Sequence, residues 1–223
     1  MPFFEEFIMR FEDKYQPRVF EDLIFEEARV KQQLRYYANN QRHKHLLLYG
    51  PPGTAKTTAC VVIANARLPE GSECLDVLEA SFIGSDFDAA LTRIEAGFNA
   101  QKFLAEIEHP VAVINEVDQL KVEQQQKLRA FIDKCRHGFL YMTTNNLASI
   151  DQPLRNRCDC IEVKSLTPSA MVRRACDIVT AELGACDEPT VTRLLSTVDG
   201  SWRDALLAIE DLILNKKENS HVV

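Results

Sequence analysis

A short segment rich in glycine and proline joins two apolar runs and ends in Lys-Thr-Thr. The first run, Leu46–Leu48, has the length of a strand, and the second, Ala59–Ala64, is a helix candidate. Such a segment places backbone N–H groups and a helix N-terminus around phosphate oxygens. An ordinary turn between a strand and a helix is the alternative. The predicted phosphate-binding residues are Gly50, Pro51, Pro52, Gly53, Thr54, Ala55, Lys56, Thr57 and Thr58.

Three residues of this loop carry specific expectations. Lys56 is expected to reach the β- and γ-phosphate oxygens, and the Thr57 hydroxyl is expected to ligate Mg²⁺. Ala55 stands where the pattern G-x-x-x-x-G-K-[ST] has its second glycine. Alanine adds only a methyl group, so Ala55 can serve there if it keeps a negative φ angle.

Polar residues follow two further apolar runs. Asn115 and Glu116 follow the run Val111–Ile114, and Asn145 follows Phe139–Thr144. Beside a phosphate loop, the first such residue usually is an acid that helps hold Mg²⁺, and the second polarises the attacking water. Glu116 fits the second role, whereas Asn115 is an uncharged metal-site candidate, which predicts weaker Mg²⁺ retention or slower hydrolysis. Asn145 is a candidate for orienting water or sensing the γ-phosphate, or else a turn residue.

Two arginines are further candidates. Arg157 follows a short predicted helix and could act as an arginine finger on a neighbouring subunit's γ-phosphate. Arg203, near the start of the last predicted helix, could reach phosphates from a second domain. The alternatives are a surface arginine for Arg157 and a local ion pair with Asp204 or Glu210 for Arg203.

The elements that must position these residues alternate between strand and helix patterns up to about residue 166. This alternation predicts an α/β fold, a parallel sheet with helices on both faces. Three helix candidates without a strand follow, at 169–183, 188–197 and 201–214. We therefore predict a phosphate-loop domain at 1–166, including an extended N-terminal arm, and a small helical lid domain at 167–223. The run Arg42–His45 is either a solvated entry to the first strand or a DNA patch.

Composition excludes several classes of protein. The chain has 223 residues, 46% of them hydrophobic, and a formal net charge of −7, which argues against coating nucleic acid through bulk charge. No apolar run has the length of a membrane span, and the acidic start is not a secretory signal. Seven scattered cysteines indicate reduced thiols and a cytoplasmic location, and Cys158-x-Cys160 lacks the partners of a zinc site.

Together these motifs resemble the AAA+ ATPases and, within them, clamp-loader subunits of the replication factor C type. Residues 50–57 are similar to the family's Walker A loop, 114–118 to its Walker B motif and 144–146 to sensor 1. The N-terminal signature Lys-Tyr-Gln-Pro at 14–17, Glu-Ala-Ser at 79–81 (Asn-Ala-Ser in the family), the finger motif at 153–158 and sensor 2 at 200–206 complete the ordered set.

The resemblance implies ATP and Mg²⁺ as ligands, with the adenine near Tyr15 and Pro17 and the nucleotide between the two domains. It implies a homo- or hetero-oligomer in which Arg157 acts in trans, and a sliding clamp and primed DNA as partners. No segment matches the family's C-terminal collar, so assembly without a collar is expected. The helix that contacts DNA in the family carries Asp86, Asp88 and Glu95 against Arg93 here, which disfavours that contact.

Three functions therefore remain open. The first is an ATP-driven subunit of a clamp-loader-like replication ATPase, and the second is a nucleotide-binding subunit with impaired hydrolysis, which Asn115 favours. The third is an AAA+ adaptor or remodeller with no role on DNA.

Overall fold

The computed structural model describes residues 9–69, 75–80, 86–104, 107–136 and 138–220. These residues form two compact units. One contains residues 17–165, and the other contains 9–16 together with 166–220. In the described part of the chain, no helix is long and apolar enough to cross a membrane.

The first unit is built on a five-stranded, entirely parallel sheet, which confirms the predicted α/β fold. The spatial order of the strands is β2-β3-β4-β1-β5. The carboxyl ends of β2, β3, β4 and β1 therefore lie next to one another along one edge of the sheet. The strands are β1 (His45–Tyr49), β2 (Leu75–Glu79), β3 (Val111–Asn115), β4 (Phe139–Thr144) and β5 (Cys158–Glu162).

The central strands are buried on both faces because their side chains alternate between two apolar layers. Leu47 points into one layer, whereas Leu46 and Leu48 point into the other, and all three are fully buried. The first layer is filled by α4 (Phe87–Leu104) and α5 (Val122–Lys134), and the second by α2 (Ala28–Ala38) and α3 (Lys56–Asn65). The prediction of helices on both faces is confirmed.

The boundaries of β5 differ from those of the short strand that the pattern Ile161-Glu162-Val163 predicts. Strand β5 begins at Cys158 rather than near Ile161, because its first residues pair with β1 from His45 onward. A short helix, α6 (Gln152–Arg155), precedes it, as the sequence indicated. The sequence also predicts a strand at 74–78 and a helix at 85–98, and their first residues, Cys74 and Ser85, lie outside the described residues.

The described part of the second unit contains three helices after residue 166. They are α7 (Pro168–Leu183), α8 (Glu188–Leu195) and α9 (Trp202–Ser220). Helix α7 begins where the Thr167 side chain accepts a hydrogen bond from the Ala170 N–H, and it ends at Gly184 with φ of 77°. This arrangement of cap, Pro168 and C-terminal glycine is typical of a well-delimited helix.

The N-terminal arm differs from its prediction in two respects. Residues 11–15 form a short helix, α1 (Phe11–Tyr15), and the backbone becomes extended only at Gln16, before Pro17. The arm also groups with the C-terminal helices rather than with the sheet. The reason is Glu182 on α7, whose carboxylate accepts hydrogen bonds from Lys14, from the Tyr15 hydroxyl at 2.8 Å and from Lys217 at 2.8 Å.

Candidate nucleotide-binding site

The loop after β1 requires glycine at its first position. Gly50 has φ of 145°, and a Cβ atom there would lie 2.1 Å from the carbonyl oxygen of Val163. The loop is closed by the Thr54 hydroxyl, which donates to the Pro51 carbonyl over 3.0 Å, and Gly53 has φ of 77°. Backbone geometry that only glycine adopts easily thus brings the loop against the end of β5.

The condition set for Ala55, a negative φ angle, is not met. Ala55 has φ of 58° and ψ of 29°, the left-handed conformation, immediately before the first residue of α3. In this conformation its carbonyl accepts the Ala59 N–H over 2.8 Å and so starts the hydrogen bonds of the helix. The methyl group makes this conformation unfavourable by about 1–2 kcal/mol relative to a right-handed one, so the loop stores strain at this residue.

Lys56 is the first residue of α3 and is only 7% exposed. Its ammonium donates to the carbonyl oxygens of Gly50 at 2.9 Å and Pro51 at 2.6 Å. The N-terminus of a helix already carries a partial positive charge, which disfavours a cation placed there alone. A buried ammonium at this end of α3 therefore creates a strong preference for an anion, and phosphate is the common one.

Asn115 connects the loop to the sheet. Its side-chain oxygen accepts hydrogen bonds from the Thr57 hydroxyl over 2.5 Å and from the Thr143 hydroxyl, and its amide nitrogen donates to Glu79 over 2.8 Å. The hydroxyl, amide and carboxylate oxygens gathered here are the hard ligands that Mg²⁺ prefers. Thr57 and Asn115, the predicted metal residues, are brought together, and the donor set fits a magnesium ion.

Two of these four residues were not singled out as site residues from the sequence. Thr143 is 1% exposed at the next-to-last position of β4. Its hydroxyl also accepts the Glu116 backbone N–H over 3.0 Å. A polar pair, Thr143-Thr144, at the end of an otherwise apolar strand was the available signal. Glu79 was noted only as part of a motif.

Glu116 and Asn145 lie at the same edge of the sheet, directly after β3 and β4. Glu116 has φ of 55°, a left-handed conformation that is rare for a glutamate. Such conformations cluster at functional sites, where the surrounding structure holds them in place. Asn145 is exposed, and its backbone N–H donates to Asp118 over 3.3 Å. The following residue, Asn146, provides the turn by accepting the Ala148 N–H.

Arg157 lies between α6 and β5 and is engaged within its own chain. Its Nε and Nη2 donate to the carboxylate of Asp133 over 2.6 and 2.8 Å, and Nη1 donates to the Pro153 carbonyl over 2.8 Å. The bonds between the two side chains lower the pKa of Asp133 and raise the pKa of Arg157. The predicted finger is thus held by α5 of its own chain.

The remaining predicted site residues are divided between the two units. Pro17 is the first residue of the sheet-containing unit, whereas Tyr15 and Arg203 belong to the helical unit. The Tyr15 hydroxyl is bound to Glu182, and Arg203 is exposed near the start of α9. Their contacts with a nucleotide stay predictions.

The basic run Arg42–His45 at the entry to β1 makes ion pairs with the neighbouring strand β5. Asp159 on β5 pairs with Arg42 and Lys44, both over 2.6 Å, and accepts the Tyr37 hydroxyl over 2.7 Å. The Asp159 carboxylate offsets one of the two positive charges of Arg42 and Lys44, and these contacts favour a strand entry over a DNA patch. Within the described residues the cysteines form no disulfide, and no group of three or more His, Cys, Asp or Glu residues could hold a metal ion.

Sequence comparison finds a family and named relatives for this chain. Residues 46–166, just over half of the chain, match the model of the ATPase family associated with various cellular activities (AAA). Replication factor C subunit 4 of Schizosaccharomyces pombe is 26% identical over 203 residues, covering 90% of this chain and 59% of that protein. Replication factor C subunit 5 of Homo sapiens is 28% identical over 206 residues, covering 87% and 57%. The chain thus spans less than two thirds of the length of these relatives.

Solved structures agree on the fold. The RuvB Holliday junction branch migration motor of Thermotoga maritima superposes with a TM-score of 0.68 at 20% identity, covering 90% of this chain and 65% of that one. A mutant form of the same RuvB protein gives a TM-score of 0.70 at 19% identity, covering 91% and 68%. At these identities the likeness concerns the fold alone. With the family match to residues 46–166 and the phosphate loop described above, the chain belongs to the AAA family of ATPases.

Proposed function

We propose that this chain binds ATP with Mg²⁺ at the start of α3 and serves as a subunit of a clamp-loader-like DNA replication ATPase. The observation that carries the proposal is Lys56, a buried ammonium at a helix N-terminus that is positioned by the carbonyls of Gly50 and Pro51. ATP phosphates would accept hydrogen bonds from this ammonium and from the backbone N–H groups of the loop.

The residues around the loop have distinct roles in this proposal. Thr57 and Asn115 would hold Mg²⁺, which neutralises charge that develops on the phosphates. Glu116 would accept the proton of the attacking water, and Asn145 would orient that water. Arg203 would contact the phosphates from the helical unit, and Arg157 would act on the ATP of a neighbouring subunit.

The assignment to a replication ATPase rests on the relatives named replication factor C subunits. By analogy, the chain would work in an oligomer of AAA subunits and couple ATP binding or hydrolysis to assembly on a sliding clamp or primed DNA. Because the chain spans 57% and 59% of the two relatives described above, this assignment needs its own test. We expect ATP to increase the oligomeric mass in light scattering, and DNA binding to weaken as salt rises. If the affinity for DNA does not depend on salt concentration, a remodeller that acts on proteins is favoured.

Titration calorimetry with ATP and Mg²⁺ tests nucleotide binding directly. We expect a dissociation constant in the micromolar range or tighter, about −8 kcal/mol. Lys56→Ala should abolish the heat signal, whereas Lys134→Ala, which removes an exposed lysine at the end of α5, should not. Absence of ATP binding to the wild-type protein would refute the proposal.

A second candidate function is a nucleotide-binding subunit that hydrolyses ATP poorly. The neutral Asn115 beside Thr57 and the engagement of Arg157 with Asp133 favour it. Steady-state ATPase assays at several protein concentrations separate the two functions. ATPase activity in the wild type that is lost in Glu116→Gln indicates a motor. No activity in the wild type, with activity gained in Asn115→Asp, indicates the impaired subunit.

A further inference from the structure

The last residues of β2 and β3 face each other across the sheet. Glu79 pairs with Asn115 in the strand register, and the Asn115 amide nitrogen donates to the Glu79 carboxylate over 2.8 Å. Both side chains are partly buried at the edge where the phosphate loop ends. Two of the motif departures noted in the sequence, Glu79 and Asn115, are therefore hydrogen-bonded partners.

These contacts orient the Asn115 amide in one direction. Its oxygen accepts from the hydroxyls of Thr57 and Thr143, so the oxygen faces the loop, and its nitrogen faces Glu79. A carboxylate accepts hydrogen bonds and cannot donate, so the reversed amide would place oxygen against oxygen at Glu79. The carboxylate thus determines which atom Asn115 presents to Thr57.

The same hydrogen bond links the Asn115 amide to a negative charge. Among the four hydrogen-bonded side chains, Thr57, Thr143 and Asn115 are neutral, and Glu79 carries the negative charge. A charged acceptor on the amide N–H polarises the amide and increases the negative character of its oxygen. The Glu79 carboxylate would also attract a cation next to Thr57 directly, by Coulomb interaction.

We propose that Glu79, through its hydrogen bond to Asn115, supplies the negative charge of the magnesium site beside the phosphate loop. Glu79 is a positioning residue, since it acts on the metal through Asn115. This inference rests on the proposed function, because it presumes that ATP and Mg²⁺ bind at the loop.

The test compares ATP affinity with and without Mg²⁺ for each variant, using a fluorescent ATP analogue. In the wild type we expect Mg²⁺ to tighten nucleotide binding. Glu79→Gln removes the charge and keeps an oxygen that can accept from Asn115. It should reduce the Mg²⁺-dependent tightening about tenfold and leave the Mg²⁺-free affinity within about twofold. Glu123→Gln, which removes an exposed carboxylate in the first turn of α5, is the matched control and should change neither value.

A reciprocal exchange distinguishes charge from local packing. The double variant Glu79→Asn with Asn115→Asp keeps one carboxylate and one amide in the pair and should restore the Mg²⁺ dependence that Glu79→Asn alone loses. Mn²⁺ can also be titrated into the nucleotide complex of each variant and followed by electron paramagnetic resonance. The variants should rank by Mn²⁺ affinity in the same order as by their Mg²⁺ dependence.

Three results would overturn the inference while leaving nucleotide binding intact. These are an unchanged Mg²⁺ dependence in Glu79→Gln, an equal loss of affinity with and without Mg²⁺, and no recovery in a double variant whose melting temperature matches the wild type. If the wild type binds no ATP under either condition, the proposed function fails instead.

Discussion

Asp133 and Arg157 form a bidentate ion pair within the chain, with donor–acceptor distances of 2.6 and 2.8 Å. The pair is partly solvated, since the arginine side chain is 33% exposed and that of Asp133 is 51% exposed. Water and salt screen an exposed pair, so this pair is weaker than a buried pair of the same geometry would be. In the proposed oligomer, a neighbouring subunit's phosphates would compete for the guanidinium, and the pair would act as a weak restraint on the proposed finger.

Weakening this restraint should raise activity that depends on assembly. Asp133→Asn leaves one acceptor oxygen and removes the charge, so we expect ATPase activity at high protein concentration to rise by up to about fivefold. Arg157→Ala should lower that activity. Asp88→Asn, which breaks the exposed pair with Lys127 on another face, is the control. Equal activity in Asp133→Asn and wild type, with a clear loss in Arg157→Ala, would show that the pair does not limit the finger.

Position 55 should tolerate glycine better than the alanine that occupies it. Ala55→Gly removes the methyl group from a left-handed residue, a gain of about 1–2 kcal/mol, and loses about 0.5–1 kcal/mol to the greater entropy of the unfolded chain. We expect a net stabilisation of about 0.5–1 kcal/mol, measured by urea unfolding. Ala96→Gly, at an exposed position inside α4, should destabilise by a similar amount. Destabilisation by both changes would contradict the left-handed conformation of Ala55.

Alanine at Gly50 should damage the loop by steric overlap. The added Cβ would lie 2.1 Å from the Val163 carbonyl oxygen, so either β5 or the loop must move. We expect a loss of about 2–4 kcal/mol in unfolding free energy and loss of nucleotide binding. Gly184→Ala is the control, since Gly184 has φ of 77° but no atom within 4 Å of the added Cβ. It should lose about 1 kcal/mol and keep nucleotide binding. Normal ATP affinity in Gly50→Ala would rule out the described packing.

His45 should make stability fall as the solution becomes acidic. Burial lowers its pKa from 6.5 to about 4, and its Nδ1 accepts the Leu140 backbone N–H over 3.0 Å. Above pH 6.5 both the folded and the unfolded state are neutral at this residue, so its contribution to stability is complete. Between pH 6.5 and 4 only the unfolded histidine gains a proton, and stability should fall by at most about 3 kcal/mol. The measurement is the free energy of unfolding in urea as a function of pH.

A matched variant isolates this contribution from other titrating groups. His45→Asn offers an amide oxygen as acceptor for Leu140 and cannot gain a proton in this range. The pH dependence of the wild type should exceed that of the variant between pH 6.5 and 4. If the unfolding free energies of the wild type and of His45→Asn depend on pH in the same way, His45 is not buried as a neutral acceptor.

The parts of the site that could be predicted from the sequence are those that depend on short local motifs. A phosphate loop is a local structure, set by residues within about ten positions of one another, so Gly50–Thr58 could be identified from spacing. The parallel sheet followed from alternating strand and helix patterns, because such a pattern has few ways to bury its apolar residues. The conformation of Ala55 could not be predicted, because the way α3 leaves the loop fixes its φ angle.

Contacts between distant residues were decided by the tertiary structure. Glu79, Asn115 and Thr143 are far apart in sequence, and they meet because the strand order β2-β3-β4 aligns the ends of their strands. The arm likewise joined the helical unit through Glu182, which lies 167 positions from Tyr15 in the chain. The sequence by itself determined a phosphate-binding loop on a parallel sheet, because those features depend on local pattern. Only the tertiary structure decided where the charge beside that loop lies, because charge placement depends on which strand ends become neighbours.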